Sequence, residues 1–249
     1  MSRWVWKGLR TGVRTTAYPS APEPASGASP GFPIGGDVPA AARARVAALC
    51  PTQALRETDT GIVVDPRRCV HCFRCVRESD APLAWSHATE WATAAPASED
   101  PRRRFDRAFD RSVHILVVDA GDCGACLHEV RQLNNPYYNM HRLGFFLTPT
   151  PRHADVMLVV GPVTDHMRVA LLKAYDAMPT PRRVVAVGTC ALTGGVFGPS
   201  FVSEAGVSAL LPVDVEVPGQ PPSPLSILHG LLVAVGRAAS AGAPGASAR

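Results

Sequence analysis

From residue 113 onward, short apolar runs alternate with stretches of helical period, and that alternation restricts the fold more than any other feature. The runs SVHILVVDAG (112–121), DVMLVVG (155–161), RVVAVG (183–188) and LLPVDVEV (210–217) read as buried strands. Helical periods occupy 124–134, 165–178 and 224–237. Strands alternating with helices predict an α/β fold, a parallel sheet with helices on both faces. In such sheets, sites form beyond the carboxyl ends of the strands. Cys123 and Cys126 follow the first run, Gly161-Pro162-Val163-Thr164 the second, Cys190 the third, and Val217-Pro218-Gly219-Gln220-Pro221-Pro222 the fourth. Three cysteines are therefore expected at one sheet edge. Gly188, Gly194 and Gly195 would let the backbone close on something bulky there.

The segment DAGDCGACLHEV (119–130) admits a rival reading. A CxxC after a strand also suits a thiol–disulfide oxidoreductase, with Cys123 exposed near a helix N-terminus and its pKa lowered. That reading gives no role to Cys190 or to the two Gly- and Pro-rich loops.

The remaining four of the seven cysteines lie in CPTQALRETDTGIVVDPRRCVHCFRCV (50–76). Bacterial two-cluster ferredoxins repeat C-x2-C-x2-C-x3-C-P, the fourth cysteine of each run serving the other cluster. In that register the first run needs cysteines at 40, 43 and 46, where Ala40, Arg43 and Val46 stand, and the second needs one at 79, where Ser79 stands. The four missing positions are one complete ligand set. Cys50, Cys69, Cys72 and Cys75 are the other, and they predict one [4Fe-4S] cluster in a half-ferredoxin module. Zinc also accepts four thiolates, but the register favours iron. ALRETDTGIVVD (54–65) reads as a hairpin turning at Asp59-Thr60-Gly61. His71, inside the motif, is expected at the surface, with tuning of a cluster by hydrogen bonding as the alternative.

Composition narrows the rest. The net charge of +4 on 249 residues is too small and scattered for a nucleic-acid partner. No apolar run approaches the roughly 20 residues of a membrane span, and ILHGLLVAVG (227–236) reads as a buried helix. With no secretory or twin-Arg signal, a cytoplasmic setting is expected, where closely spaced cysteines point to metal or redox chemistry. Residues 17–41 and 238–249 are rich in Pro, Ala, Gly and Ser. They read as a linker and a disordered tail. SRWVWKGLRTGVRTTAYP (2–19) reads either as an amphipathic helix for a membrane surface or partner groove, or as a basic arm packed on its own protein. The organisation expected is an arm and linker (1–41), a single-cluster module (42–80), a charged connector (81–112), an α/β domain (113–237) and a tail (238–249).

Residues 113–237 resemble a known family through GDCGACLHEV, PRHADVMLVVGPVT, PRRVVAVGTCALTGGVF and VPGQPPSPLSILHGLL. It is the small, cluster-carrying subunit of energy-converting nickel–iron hydrogenases and formate hydrogenlyase, homologous to the 20-kDa subunit of NADH–quinone oxidoreductase (complex I). The arrangement Cys123, Cys126, Glu129 is similar to the hydrogenase branch. KGLRTGVRTTAYP and the half-ferredoxin resemble a hydrogenase-associated ferredoxin subunit, as if two neighbouring electron-transfer subunits were fused. The resemblance implies a flavodoxin-like fold with a second iron–sulfur cluster on Cys123, Cys126 and Cys190. It also implies a large catalytic subunit and membrane subunits as partners, with peripheral placement on the cytoplasmic face of the inner membrane. No stand-alone catalytic residue is implied, and Glu129 would lie near the large-subunit interface. Where the family has VPGCPP, this chain has Gln220. The second cluster would then be [3Fe-4S], or [4Fe-4S] with water, Gln220 or His128 as fourth ligand, or it would be lost and the domain a scaffold. Arg152 and His153 are family-typical without a derivable role, and Asp155 is expected to cap structure.

Overall fold

The computed structural model describes residues 3–23, 25, 27–100, 103–105, 109 and 111–241. In chain order the helices are α1 (Arg3–Thr11), α2 (Ala40–Ala48), α3 (Arg74–Arg77), α4 (Ala125–Gln132), α5 (Asp165–Asp176), α6 (Thr189–Thr193) and α7 (Pro224–Ala234). The strands are β1 (Phe32–Ile34), β2 (Gly36–Asp37), β3 (Leu55–Glu57), β4 (Gly61–Val64), β5 (Ala84–Ser86) and β6 (Thr93–Ala94), followed by β7 (Val113–Asp119), β8 (Phe145–Leu147), β9 (Val156–Val160), β10 (Arg183–Val187) and β11 (Val215–Val217).

The main sheet runs β6-β11-β10-β9-β7-β8. Its five strands from β7 to β11 are mutually parallel, and only the edge strand β6 is antiparallel. Counting the parallel strands in chain order gives 2-1-3-4-5, the flavodoxin-like order. Every residue of β9 and β10 is buried, because helices cover both faces. Ile115, Leu158, Val160, Val187 and Val217 turn to a core shared with α4 and α7. Met157, Val159, Val184 and Ala186 turn to the opposite core with α5 and α6. Each fully buried leucine of α7 contributes about 1.5–3 kcal/mol. Gly230 lets that helix press on the sheet, since a Cβ there would lie 2.3 Å from Val217 Cγ2. Ser223 accepts from the Ser226 amide, and Pro224 opens the helix.

The N-terminal module is a three-stranded sheet, β2-β4-β3, under α2. The expected hairpin is present as β3 and β4. Val38, Val46, Leu55, Ile62 and Val64 form its own small core. β8 and α6 were not expected from the sequence, being a three-residue and a five-residue element with too little chain to display a period.

Parts of the expected linker, 17–41, take up regular structure. Of the large apolar residues in this stretch, Tyr18, Phe32 and Val38 are buried and Ile34 is exposed. β1 pairs with β5, and β2 joins the module's sheet. Average composition hid these three anchors. The connector likewise donates β6 to the main sheet. Of the expected tail, 238–241 lie along that edge: the Ala241 amide donates to Ala92 O at 2.8 Å, and the Ala94 amide donates to Ser240 Oγ at 2.8 Å. Residues 242–249 lie outside the described residues. No helix among the described residues is long and apolar enough to cross a membrane.

Candidate metal centres

Cys50, Cys69, Cys72 and Cys75 line a single small cavity of about 20 Å³, walled by apolar groups that include Leu55 and Trp85. Cys50 follows α2, Cys69 ends the 3-10 turn Pro66–Arg68, and Cys75 sits in α3. The wrap of the CxxCxxC loop needs left-handed backbone at His71 and Phe73, with φ of 54° and 61°. Phe73 is held there by stacking on Trp85, centroids 4.5 Å apart. The Ala54 amide points at Cys50 Sγ from 3.1 Å. Burial, with the neighbouring Cys75, Cys50 and Cys72 adding, pushes the Cys69 thiol up to about 12, against the His71 backbone amide. A thiol buried this way becomes a thiolate when a metal centre compensates its charge. A sulfur-rich, apolar cavity with an amide donor suits an iron–sulfur cluster.

The second group assembles where the strand–loop pattern predicts. Cys123 and Cys126 follow β7, Cys190 lies in α6 directly after β10, and Gln220 follows β11. Cys126 and Cys190 are buried while Cys123 is exposed. The Cys190 thiol faces Gln220 Oε1 at 3.7 Å. Two glycines cradle the buried sulfurs. A Cβ at Gly188 would stand 2.5 Å from Cys126 Sγ, and one at Gly195 would stand 2.6 Å from Cys190 Sγ. Burial, with Asp122, Cys190 and Cys123 adding, pushes the Cys126 thiol well above its usual range. Of the two candidates for a fourth position, Gln220 is at the site. His128 is exposed and sits 3.3 Å from Gln132 Nε2, one turn along α4. Three thiols and an amide oxygen fit a cluster with one corner lacking thiolate. None of the seven cysteines is in a disulfide, and among the described residues no group of three or more His, Cys, Asp or Glu is placed to hold a metal ion.

The two groups adjoin. Thr189 Oγ1 donates to the Cys69 carbonyl at 3.1 Å, so the residue before Cys190 touches the residue that opens the CxxCxxC run. Nearby, Arg67 pairs with Glu216, with Nη2 donating to Oε1 at 2.9 Å and Nε 2.8 Å from Oε2. Burial raises the Glu216 carboxyl and Arg67 opposes the rise.

His71 differs from expectation. It is half-buried and packs edge-on against Phe32 at 4.8 Å. Neither ring nitrogen has a partner of hydrogen-bond geometry, although the Gln220 backbone lies beside the ring. Burial lowers its pKa to about 4. The sequence placed it at the surface because the CxxCxxC loop was read without the N-terminal segment that covers it. A cleft of about 500 Å³ then opens between the two cysteine groups, lined by His71, Phe73, His87, Glu129, Tyr138 and Gln220 among others. Burial raises the Glu129 carboxyl there. Tyr138 and His87 carried no signal in the sequence. Asp155 caps structure as expected: Oδ2 accepts from the His114 amide at 2.7 Å, and its carbonyl accepts from the Arg183 amide, at the strand ends away from the cysteines. Arg152 and His153 are exposed in the turn before it.

Residues 123–242 match the family described as NADH ubiquinone oxidoreductase, 20 Kd subunit. An uncharacterised protein of Methanocaldococcus jannaschii is 42% identical over 49% of this chain and 82% of its own length. The probable membrane-bound hydrogenase subunit mbhJ of Pyrococcus furiosus is 40% identical, over 50% of this chain and 75% of that protein. Formate hydrogenlyase subunit 7 of Escherichia coli is 36% identical over 52% of this chain and 51% of that protein. With the strand order and the cysteine-bearing loops in place, this chain belongs, through its α/β domain, to the NADH ubiquinone oxidoreductase 20 Kd subunit family.

Proposed function

We propose that this chain is an electron-transfer subunit of a membrane-associated, hydrogenase-like or complex I-like assembly. In this reading it is peripheral to the membrane on the cytoplasmic face and docks on a large catalytic subunit and on membrane subunits. Cys50, Cys69, Cys72 and Cys75 hold a [4Fe-4S] cluster. Cys123, Cys126 and Cys190 hold a second cluster, [3Fe-4S] or [4Fe-4S], with Gln220 at the fourth corner. Such clusters supply one-electron redox chemistry when bound. The residues here bury part of each site and keep the two adjacent. Cys69 and Cys75 carry the first site into an apolar wall, Gly188 and Gly195 admit the second between tight backbone turns, and Thr189 ties one to the other.

The observation that carries the reading is the Thr189–Cys69 hydrogen bond, because it makes the two thiol groups neighbours within one chain. The relatives' names point to the kind of assembly. A second reading, a docking scaffold that has lost the second cluster, draws on Gln220 and on the exposure of Cys123. Iron and sulfide analysis of protein purified without oxygen separates the two. About seven or eight irons per chain, with three or four lost on Cys190→Ser, supports two clusters. About four irons, unchanged by Cys190→Ser, supports the scaffold.

A further inference from the structure

The N-terminal helix has no role in either cysteine site, and it is the most amphipathic of the described helices. In α1, Arg3, Lys7 and Arg10 fall at i, i+4 and i+7 and form one stripe. Val5 and Leu9, also four apart, form another, with Trp6 on its flank. None of the helix is buried: Trp4 is 76%, Trp6 60% and Leu9 69% exposed. The helix ends at Gly12, with φ of +67°. The chain is then strapped to the α/β domain, the Thr16 amide donating to Tyr137 O at 2.9 Å and Thr15 Oγ1 to Pro136 O at 3.1 Å. The helix is thus held out from a fixed point with its apolar side in water.

Charge decides what covers it. Arg3, Lys7, Arg10 and Arg14 all precede the first acidic residue, Glu23. An uninterrupted cationic stripe beside exposed indoles matches an anionic lipid surface, where amphipathic rings settle at headgroup depth and Lys and Arg meet phosphate. The helix is about 13 Å long at 1.5 Å per residue, so it lies along such a surface and cannot cross it.

We infer that α1 is a membrane-surface anchor that lays Val5, Trp6 and Leu9 into a bilayer rich in anionic lipid and pairs Arg3, Lys7 and Arg10 with its phosphates. The inference concerns attachment only and does not depend on how many clusters the chain holds.

The test uses the full chain with vesicles of mixed phosphatidylglycerol and phosphatidylcholine, and with phosphatidylcholine alone. Co-sedimentation is expected with the anionic vesicles, with a blue shift of tryptophan emission that disappears in W4F/W6F. R3E/K7E/R10E is expected to lower the partition at least about tenfold, and about 1 M salt to do the same. R3K/R10K, which keeps the charge, is expected to bind as the parent does. Because these side chains are exposed, near-UV circular dichroism is expected to be unchanged. Binding of equal strength to both vesicle types, or binding indifferent to the charge reversal, overturns the inference. So does failure of the folded chain to bind either vesicle, which would leave the helix to a groove in a partner protein.

Discussion

Thr189 Oγ1 lies 3.1 Å from the Cys69 carbonyl and 3.2 Å from the Gly219 carbonyl. One hydroxyl therefore touches the backbone of the first cysteine group, the loop that presents Gln220, and, through its own peptide, Cys190. The side chain is wholly buried.

Thr189→Val keeps the shape and removes the donor. Leaving the Cys69 carbonyl buried without it is expected to cost about 1–3 kcal/mol, read as a lower urea midpoint at unchanged slope. If the modules held together through Arg67 and Glu216 alone, the variant would match the parent.

If the second cluster is held as proposed, Gln220→Cys adds a fourth thiolate at the position that faces Cys190. A hard amide oxygen is a weak partner for iron beside three thiolates. The parent is therefore expected to lose about one iron per chain on brief exposure to air and the variant to keep it. Iron assay and electron paramagnetic resonance of the oxidised protein check this. Equal iron retention in the two proteins would mean that Gln220 does not sit at an open corner.

The cysteine-bearing sheet edge was legible in the sequence, and the parts between modules were not. Four apolar runs were enough to place Cys123, Cys126 and Cys190 together, since parallel strands deliver their following loops to one edge. The ferredoxin register was enough to group Cys50 with Cys69, Cys72 and Cys75. Neither pattern signals Thr189, whose partner is 120 residues away, or the cover that Phe32 lays over His71. The order of 17–41 was hidden for a related reason. Three buried anchors among prolines and glycines have no period, so only tertiary packing reveals them.

Asp214 is expected to be the most sensitive single position for stability. It is 0% exposed, and it accepts from Arg183 Nη1 and Arg103 Nε, each at 2.9 Å, and from the Val184 amide at 2.7 Å. Asp214→Ala strands two guanidinium groups, one of them buried, and is expected to cost about 3–5 kcal/mol in a denaturant titration. A loss within about 1 kcal/mol would show that water replaces the carboxylate.

His229 gives the fold a pH dependence of predictable sign. The ring is buried, its Nδ1 accepting from the Ala92 amide at 3.2 Å and its Nε2 lying 3.0 Å from Ala239 O. Burial lowers its pKa below 6.5, outweighing the Ala239 carbonyl and Glu90, which act the other way. The folded state keeps the ring neutral while the unfolded chain takes up a proton. This contribution is therefore complete above about pH 6.5 and is lost as pH falls below it toward the lowered folded value. The urea midpoint is expected to drop between about pH 7.5 and pH 5, and His229→Gln is expected to show a smaller drop. An identical pH profile in the variant would remove His229 as the cause.

The most direct test of the relay is electron paramagnetic resonance of the chemically reduced full chain, purified without oxygen, beside Cys190→Ser. Two centres as close as the Thr189–Cys69 contact implies are expected to give a broadened, spin-coupled spectrum. In the variant it should collapse to one narrow signal of ferredoxin type. A single narrow signal in the parent, unchanged by Cys190→Ser, would contradict the account and leave the α/β domain as a scaffold beside one cluster in the N-terminal module.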